Sequence, residues 1–438
     1  MSTKFSRRDF IKATALGTAA AVLAGCTPTA PAAQPDGPPT KEKQKVTFSM
    51  YGHPNLTEPM VSKFNQSQDD VDLQFERSEG QGYWEKLTAS IAAGTAWDCF
   101  RIEAPRALDW GPKGAILDVT EYVDADMVYP KADYIPGFLE AFSAEGKIYG
   151  VPTWALTMWM FYNKKIFDEG GEKYPDPSLT WENYVALAKK LTKTEGNRTT
   201  VFGANGWTAW TFPLMQLFFS ASGKFYYTDD MKSIGFDDPE NVKVLQSLAD
   251  MIQNDGSLPN PTVAPSSPIG IFSDNVATHG DGDYLPADNN EVMMEKYDYI
   301  DATLCPLVGG QRNNVYWPDA FSVNSKTKVP EGAYKWMAWF GRDPEATAIQ
   351  CKVVFPVYNQ AYSDQSIASR WLVAPRPKGM IDQAMEHAKN AQVLTFDQHT
   401  SDLDTIFYNE IYSLWGGEAT AEEVAKTIAE QANEVLTR

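Results

Sequence analysis

Residues 45–52 (KVTFSMYG) set apolar side chains at alternate positions, the period of a strand with one buried face. Residues 56–68 (LTEPMVSKFNQSQ) change to a helical period, with Pro59 near the start, where a missing N–H is tolerated. Alternation returns at 71–77 (VDLQFER). A second helix is predicted over 82–94 (GYWEKLTASIAAG), with Gly94 as its stop, and 97–103 (WDCFRIE) predicts a third short strand. Strand, helix, strand, helix, strand is the rhythm of a parallel sheet covered by helices, so an α/β fold is expected.

Further along, residues 147–171 form one long apolar stretch in which polarity returns at Asn163-Lys164-Lys165. Helices are predicted over 178–193, with Thr180 as N-cap and Asn183 at N3, and over 239–255, 330–342 and 420–438. Residues 275–281 are strand-like, and 320–327 (AFSVNSKT) carries a later strand. Trp336 and Trp339, three apart on a helix, are expected in the core. No tandem repeat of the solenoid kind occurs.

The first residues follow a different pattern. Lys4, Arg7, Arg8 and Lys12 precede an apolar run from Ala13 to Ala24. That run is shorter than the roughly 20 residues a membrane span needs. A charged region, an apolar region and small residues at the end form the plan of an export signal. The arginine pair followed by Phe10 and Ile11 resembles a twin-arginine signal, and Leu23-Ala24-Gly25-Cys26 resembles a lipobox, cut before a cysteine that then carries lipid. Residues 1–25 are therefore expected to be a signal peptide and Cys26 the lipidated first residue of an exported, membrane-anchored protein. Residues 26–45, rich in Pro, Ala and Thr, are expected to be a flexible tether. The folded part should start near Val46.

Composition narrows the function. A hydrophobic content of 43% supports real cores, and about 390 residues after the tether are comfortable for two domains. The formal charge is −19; residues 1–25 hold four basic side chains and one acid, so their removal leaves −22. Nucleic-acid binders neutralise phosphates with basic patches, so no nucleic-acid partner is expected. Cys99, Cys305 and Cys351 are far apart and odd in number, and are expected as free buried thiols, with one bridge left open as the alternative. The histidines show no metal-ligand spacing and no CxxC exists, so neither metal nor cofactor is expected. The acidic stretch Asp283–Asp288 lacks a calcium-loop pattern.

In order along the chain, KVTFSMYG, YGVPTWALTMWMFYNKKIFDEGG, LTWENYVALAKKLTK, THGDGDYLP, CPLVGG, DAFSVNSKTKVPEGAYKWMAWF, FPVYNQA and GEATAEEVAKTIAEQANEVL resemble the extracytoplasmic solute-binding proteins of ABC importers. The resemblance is to the carbohydrate-binding cluster that includes maltose-binding protein, and it covers residues 44–438. It departs from the family where a glycine pair commonly precedes the DAFSVNS-like strand; Tyr316, Trp317 and Pro318 stand there instead, implying a bulkier, more aromatic pocket floor. The resemblance implies a two-lobe periplasmic-binding-protein-like fold, with a hinge and a ligand cleft between the lobes. The expected lobes are 46–155 with 319–365, and 156–318 with 366–438. The chain is expected to cross between them near Thr153–Trp159, near Trp317–Ala320 and around 360–375. The implied partners are a carbohydrate ligand and the transmembrane permease subunits of an ABC transporter, and the implied state is a monomer.

Sugars present hydroxyls at the ring edge and C–H bonds on the faces, so a sugar site needs aromatic platforms with acids, amides and arginines at their edges. The aromatic candidates beside strand ends or Gly-rich loops are Tyr51, Trp154, Trp207, Trp210, Tyr284, Trp317 and Tyr358. The polar candidates are Glu79, Arg101, Glu103, Asp281, Asp283 and Asp319. Each aromatic has core packing as its alternative, and each acid a turn or surface role. Trp154 and Trp317 are expected to face the cleft together. A competing function is an exported enzyme such as a glycosidase, which needs two carboxylates about 5–9 Å apart. No GxSxG, HExxH or P-loop occurs, so no catalytic residue is assigned. The third reading is the same fold tuned to a non-sugar solute.

Overall fold

The computed structural model describes residues 42–437, apart from 53, 79, 81, 226, 228–232, 266, 286–297 and 374–375. The signal segment, Cys26, most of the tether and Glu79 lie outside the described residues.

The strands are β1 (Gln44–Met50), β2 (Val71–Arg77), β3 (Cys99–Glu103), β4 (Ser143–Ala144), β5 (Lys147–Ile148), β6 (Val151–Asn163), β7 (Lys193–Glu195), β8 (Arg198–Asn205), β9 (Val276–Gly282), β10 (Ile300–Thr303), β11 (Asn314–Val323) and β12 (Ala391–Val393). Ten of them form one sheet in the order β2-β1-β3-β11-β6-β9-β8-β7, with β10 on β6 and β12 on β11; β4 and β5 pair separately. β1 runs parallel to both β2 and β3, as the strand–helix rhythm predicts. It begins at Gln44, ahead of the expected Val46, and the Lys43 ammonium just before it donates to the carbonyls of Asn65 and Gln68.

Two long strands tie the sheet together. β6 pairs with β11 over Val151–Thr157 and with β9 and β10 over Met158–Asn163. β11 pairs with β3 over Asp319–Val323 and with β12 over Asn314–Tyr316. β11 begins at Asn314 rather than Ala320, so Tyr316, Trp317 and Pro318 are strand residues. Pro318 has no N–H to give, and a register shift against β6 falls beside it between Asp319 and Ala320. Prolines enter sheets at such irregularities.

Several helices are capped by side chains, at Thr180 as predicted. The Thr180 hydroxyl accepts from the Asn183 N–H, and Thr420 and Glu423 form a full capping box on the helix Ala421–Leu436. Asn163 caps the helix Lys164–Gly170, which is why the apolar run stops there. One core gathers Phe48, Phe64, Trp336 and Phe340 under the β1–β3 half; Trp336 and Trp339 are buried in it as expected, and they stack on each other. A second packs Trp159, Tyr316, Phe355 and Trp371 against the other face of β6 and β11. A third holds Trp181, Trp207, Phe212 and Phe218 with residues of the last two helices. Cys99, Cys305 and Cys351 are free and buried.

Candidate functional site

Strand pairing decides which side chains share a face. In an antiparallel sheet, directly opposed residues and residues two apart point the same way. Asp319 lies opposite Glu103 on one side and Trp154 on the other, and Trp317 lies opposite Leu156. Trp317, Asp319, Glu103, Arg101, Trp154 and Leu156 therefore stand on one face of the sheet, where β3, β11 and β6 meet.

The centre of that face is an ion pair. Arg101 Nε donates to both Asp319 oxygens at 3.0 and 3.1 Å, and Nη2 donates to Oδ2. Burial alone would lower the Arg101 pKa; the Asp319 charge and its hydrogen bonds, with smaller contributions from Tyr51 and Glu103, together outweigh that and hold it above its ordinary value. Burial pushes the Asp319 carboxyl up while Arg101 pulls it back. The guanidinium lies 4.2 Å from the Tyr51 ring centre and 5.4 Å from that of Trp154. Tyr51 packs in turn on Tyr83 and Trp84. Glu103, with 26% of its side chain exposed, ends β3 at 3.8 Å from Arg106. Burial pushes its carboxyl up to about 7; Asp319 and Asp404 add to the rise and Arg101 and Arg106 oppose it.

Beside this polar centre stands an aromatic group. Trp317 has its ring centre 5.8 Å from Trp210, 5.6 Å from Phe212 and 5.0 Å from Phe396, and both tryptophans keep part of their surface exposed. Trp210 is held as the residue that starts the helix Thr211–Ala221. Tyr51, Arg101, Glu103, Trp210, Trp317 and Asp319 thus form partly open aromatic surfaces with charged groups at their edges. Trp84, Arg106 and Asp404 belong with them, although the sequence pattern did not single them out. Arg106 follows Glu103 by one helical turn, a signal the sequence did offer, whereas nothing local marks Asp404.

The other candidates are covered or lie elsewhere. Trp154 is 4% exposed and packs on Phe321 and Phe340, so it reaches the group only through Arg101 and does not stand open beside Trp317. Trp207 is buried, with its indole N–H donating to the Tyr184 hydroxyl. Tyr358 is buried, with its hydroxyl on that of Thr347. Asp281 lies opposite Trp159, on the other face of the sheet from Trp317. It accepts from the Tyr284 hydroxyl and the Gly282 N–H, and it faces His279 at 3.3 Å.

Asp283 shares that second face. Its Oδ1 accepts from the Thr157 N–H, whereas Oδ2 is buried without a partner among the described residues. Burial pushes this carboxyl up to about 7, against the pull of Arg376. An acid whose pKa is raised by folding binds its proton more tightly in the native state, so stability falls as pH rises from the unfolded value through about 7. Asp283→Asn should remove that loss, gaining about 2–4 kcal/mol relative to wild type near pH 8 and little near pH 4. Urea unfolding at both pH values checks it; a gain independent of pH would refute ionisation of the buried carboxyl as the cause.

Residues 59–375 match the family model described as bacterial extracellular solute-binding protein, and residues 4–24 match the model of the twin-arginine translocation signal sequence. The chain belongs to the bacterial extracellular solute-binding proteins and carries an export signal. It is 25% identical over 250 residues to the arabinooligosaccharide-binding protein of Bacillus subtilis, a match covering 55% of this chain and about half, 53%, of that relative. It is 23% identical over 366 residues to the maltotriose-binding protein of Pyrococcus abyssi, covering 74% of this chain and 73% of that one. The fold is that of an ABC substrate-binding protein of Listeria monocytogenes solved in complex with cycloalternan. The TM-score is 0.78 at 20% identity, and the match covers 90% of this chain and 99% of the other. The architecture is accordingly the two-lobe α/β fold of solute-binding proteins.

Proposed function

We propose that the protein captures a carbohydrate, a sugar or oligosaccharide, in a cleft between its lobes and delivers it to the permease of an ABC transporter. The observation that carries this is the one sheet face that holds the partly exposed Trp317, with Trp210 packed beside it from a helix start, together with Arg101, Asp319 and Glu103. Rings cover the C–H faces of a sugar, and hydroxyls bond the exposed Glu103 carboxylate at about 1.5–3 kcal/mol each, while the buried Arg101–Asp319 pair fixes the floor beneath. The ligands for which the relatives are named, an arabinooligosaccharide and maltotriose, and the cycloalternan bound to the Listeria protein support the class. The lobes divide where β6 and β11 pass from one set of partners to the other, and these strands act as the hinge. The protein works as a monomer and returns its ligand unchanged.

The test is a thermal-shift and calorimetric screen against an oligosaccharide panel, with the recovered sugar analysed for cleavage. A ligand at a hundred times its Kd adds about 2.7 kcal/mol. Binding with intact recovery supports the reading. Cleavage would replace it with a glycosidase, and a response only to non-sugar solutes would replace the ligand class.

The anchor follows from Leu23-Ala24-Gly25-Cys26. Cys26 becomes the lipidated first residue after processing and holds the protein at the outer face of the cytoplasmic membrane. Cys26→Ala should move the protein from the membrane fraction to the soluble one; a variant retained as tightly as wild type would remove the anchor.

A further inference from the structure

A concave surface of about 950 Å³ lies away from the sheet face described above, between the end of the helix Pro54–Ser67, the helix Thr120–Ala125 with the loop after it, and the helix Pro330–Arg342. Its walls are aromatic. Tyr122 and Tyr334 stack with ring centres 5.5 Å apart, and Tyr129 and Trp339 complete the lining. The tyrosine hydroxyls are fixed by acids: Tyr129 donates to Asp343 and Tyr334 to Asp126, at 2.8 and 2.9 Å. Two further acids, Glu121 and Glu331, stand exposed on the lining, with no side-chain hydrogen bond or ion pair among the described residues. The one basic side chain of the lining, Lys335, is engaged by Asp70. Four carboxylates thus surround aromatic walls, and the lining holds no unpaired base to balance them.

The rim adds a second feature. Met127 and Val128 are 86% and 76% exposed, the two most exposed large apolar side chains among the described residues. Val128 also lines the concavity. Exposed apolar side chains beside a polar-rimmed hollow mark a surface that docks protein. Aromatic faces with nearby carboxylates attract guanidinium and ammonium groups through the ring quadrupole and direct charge.

We propose that this groove is a docking site for a basic segment of a partner protein, one that carries arginine or lysine next to apolar residues. The cation lies over the tyrosine rings near Glu121 and Glu331, and the apolar neighbours cover Met127 and Val128. Nothing in this site involves Trp317, Asp319 or Arg101, so the groove and the cleft can be occupied together. Charge complementarity selects a basic partner over a neutral glycan, although aromatic walls alone would suit either.

The experiment uses the processed full chain and a fluorescent Leu-Arg-Leu-Arg-Leu peptide, with Leu-Glu-Leu-Glu-Leu, spermidine and maltotriose as competitors. The arginine peptide should bind, weaken as salt is raised, and resist the other three. Glu121→Lys with Glu331→Lys should weaken it by at least about tenfold, because like charges then face each other. Met127→Ser with Val128→Ser should weaken it with an unchanged salt dependence. Both pairs of changes are at exposed positions, and melting curves verify that the variants fold. Equal affinity for wild type and the charge-reversed protein would overturn the proposal, as would absence of peptide binding. Displacement by maltotriose would make the groove a second glycan site, and displacement by spermidine a small-cation site; either outcome also overturns it. Sugar titration of the cleft in the same variants should be unaffected, which separates this proposal from the cleft reading.

Discussion

Asp319→Ala is expected to cost about 3–5 kcal/mol of folding stability and to abolish ligand capture. Asp319 has no exposed surface, and Arg101 is 9% exposed. Removing the carboxylate leaves a guanidinium between Tyr51 and Trp154 with only the weaker influence of Glu103 as counter-charge and without the acceptor that now binds its Nε and Nη2. The pair also joins β3 to β11 beside the register shift at Asp319/Ala320, so its loss disturbs the point where the two parts of the sheet meet. Arg101→Met with Asp319→Leu should behave differently. Replacing both charges by apolar groups of similar volume removes the stranded charge, and such exchanges are often neutral or stabilising. That double variant should regain most of the stability and still fail to bind sugar. Urea unfolding and calorimetric titration of wild type, Arg101→Met, Asp319→Leu and the double variant form the cycle, with Asp319→Ala measured beside it. An Asp319→Ala protein as stable as wild type would contradict the structural role, and a double variant that binds normally would remove the pair from the site.

The parts of this site that could be read from the chain are those set by local period. β1, β2 and β3 alternate or cluster their apolar residues, and their C-terminal ends pointed to Tyr51, Arg101 and Glu103. The face each residue occupies on β6 could not be read. Every residue of β6 except Leu156 is buried, so the strand has no alternation to reveal its parity. Trp154 and Trp317 do share a face; what separates them is the cover of Phe321 and Phe340 over Trp154, which comes from distant parts of the chain and leaves no local signal. Parity also governs the acids of the GDGD turn: the pairing of Asp281 with Trp159 sends Asp281 to the opposite face, and this depends on a register with β6 that no local pattern encodes. Trp84 and Arg106 lie on helices that begin just past strand ends, where helical periodicity hides a side chain that returns toward the sheet. Asp404 arrives from the helix Thr400–Trp415, far along the chain, and only tertiary packing brings its charge near Glu103.

The contrast between the two tryptophans gives the sharpest test of the cleft. Trp154→Ala should cost about 3–5 kcal/mol, because it empties a buried volume between Phe321 and Phe340 and strips one aromatic neighbour from Arg101. Trp317→Ala should cost less stability, since part of the ring is already exposed, and its partners Trp210, Phe212 and Phe396 remain packed on one another or on the core. Its effect should appear in binding instead. A ring that stacks on a ligand face contributes about 1–3 kcal/mol, so sugar affinity should fall by roughly five- to 150-fold. Trp210→Ala should follow Trp317→Ala, because the two rings form one surface 5.8 Å from centre to centre. Their double variant should lose less affinity than the sum of the single losses, as neighbours that share one contact do. Calorimetric titration with the sugar identified by the panel, run beside thermal melts of each variant, reads both quantities. If Trp317→Ala melts as early as Trp154→Ala and its folded fraction binds with wild-type affinity, the aromatic group is core and the sugar must be held elsewhere.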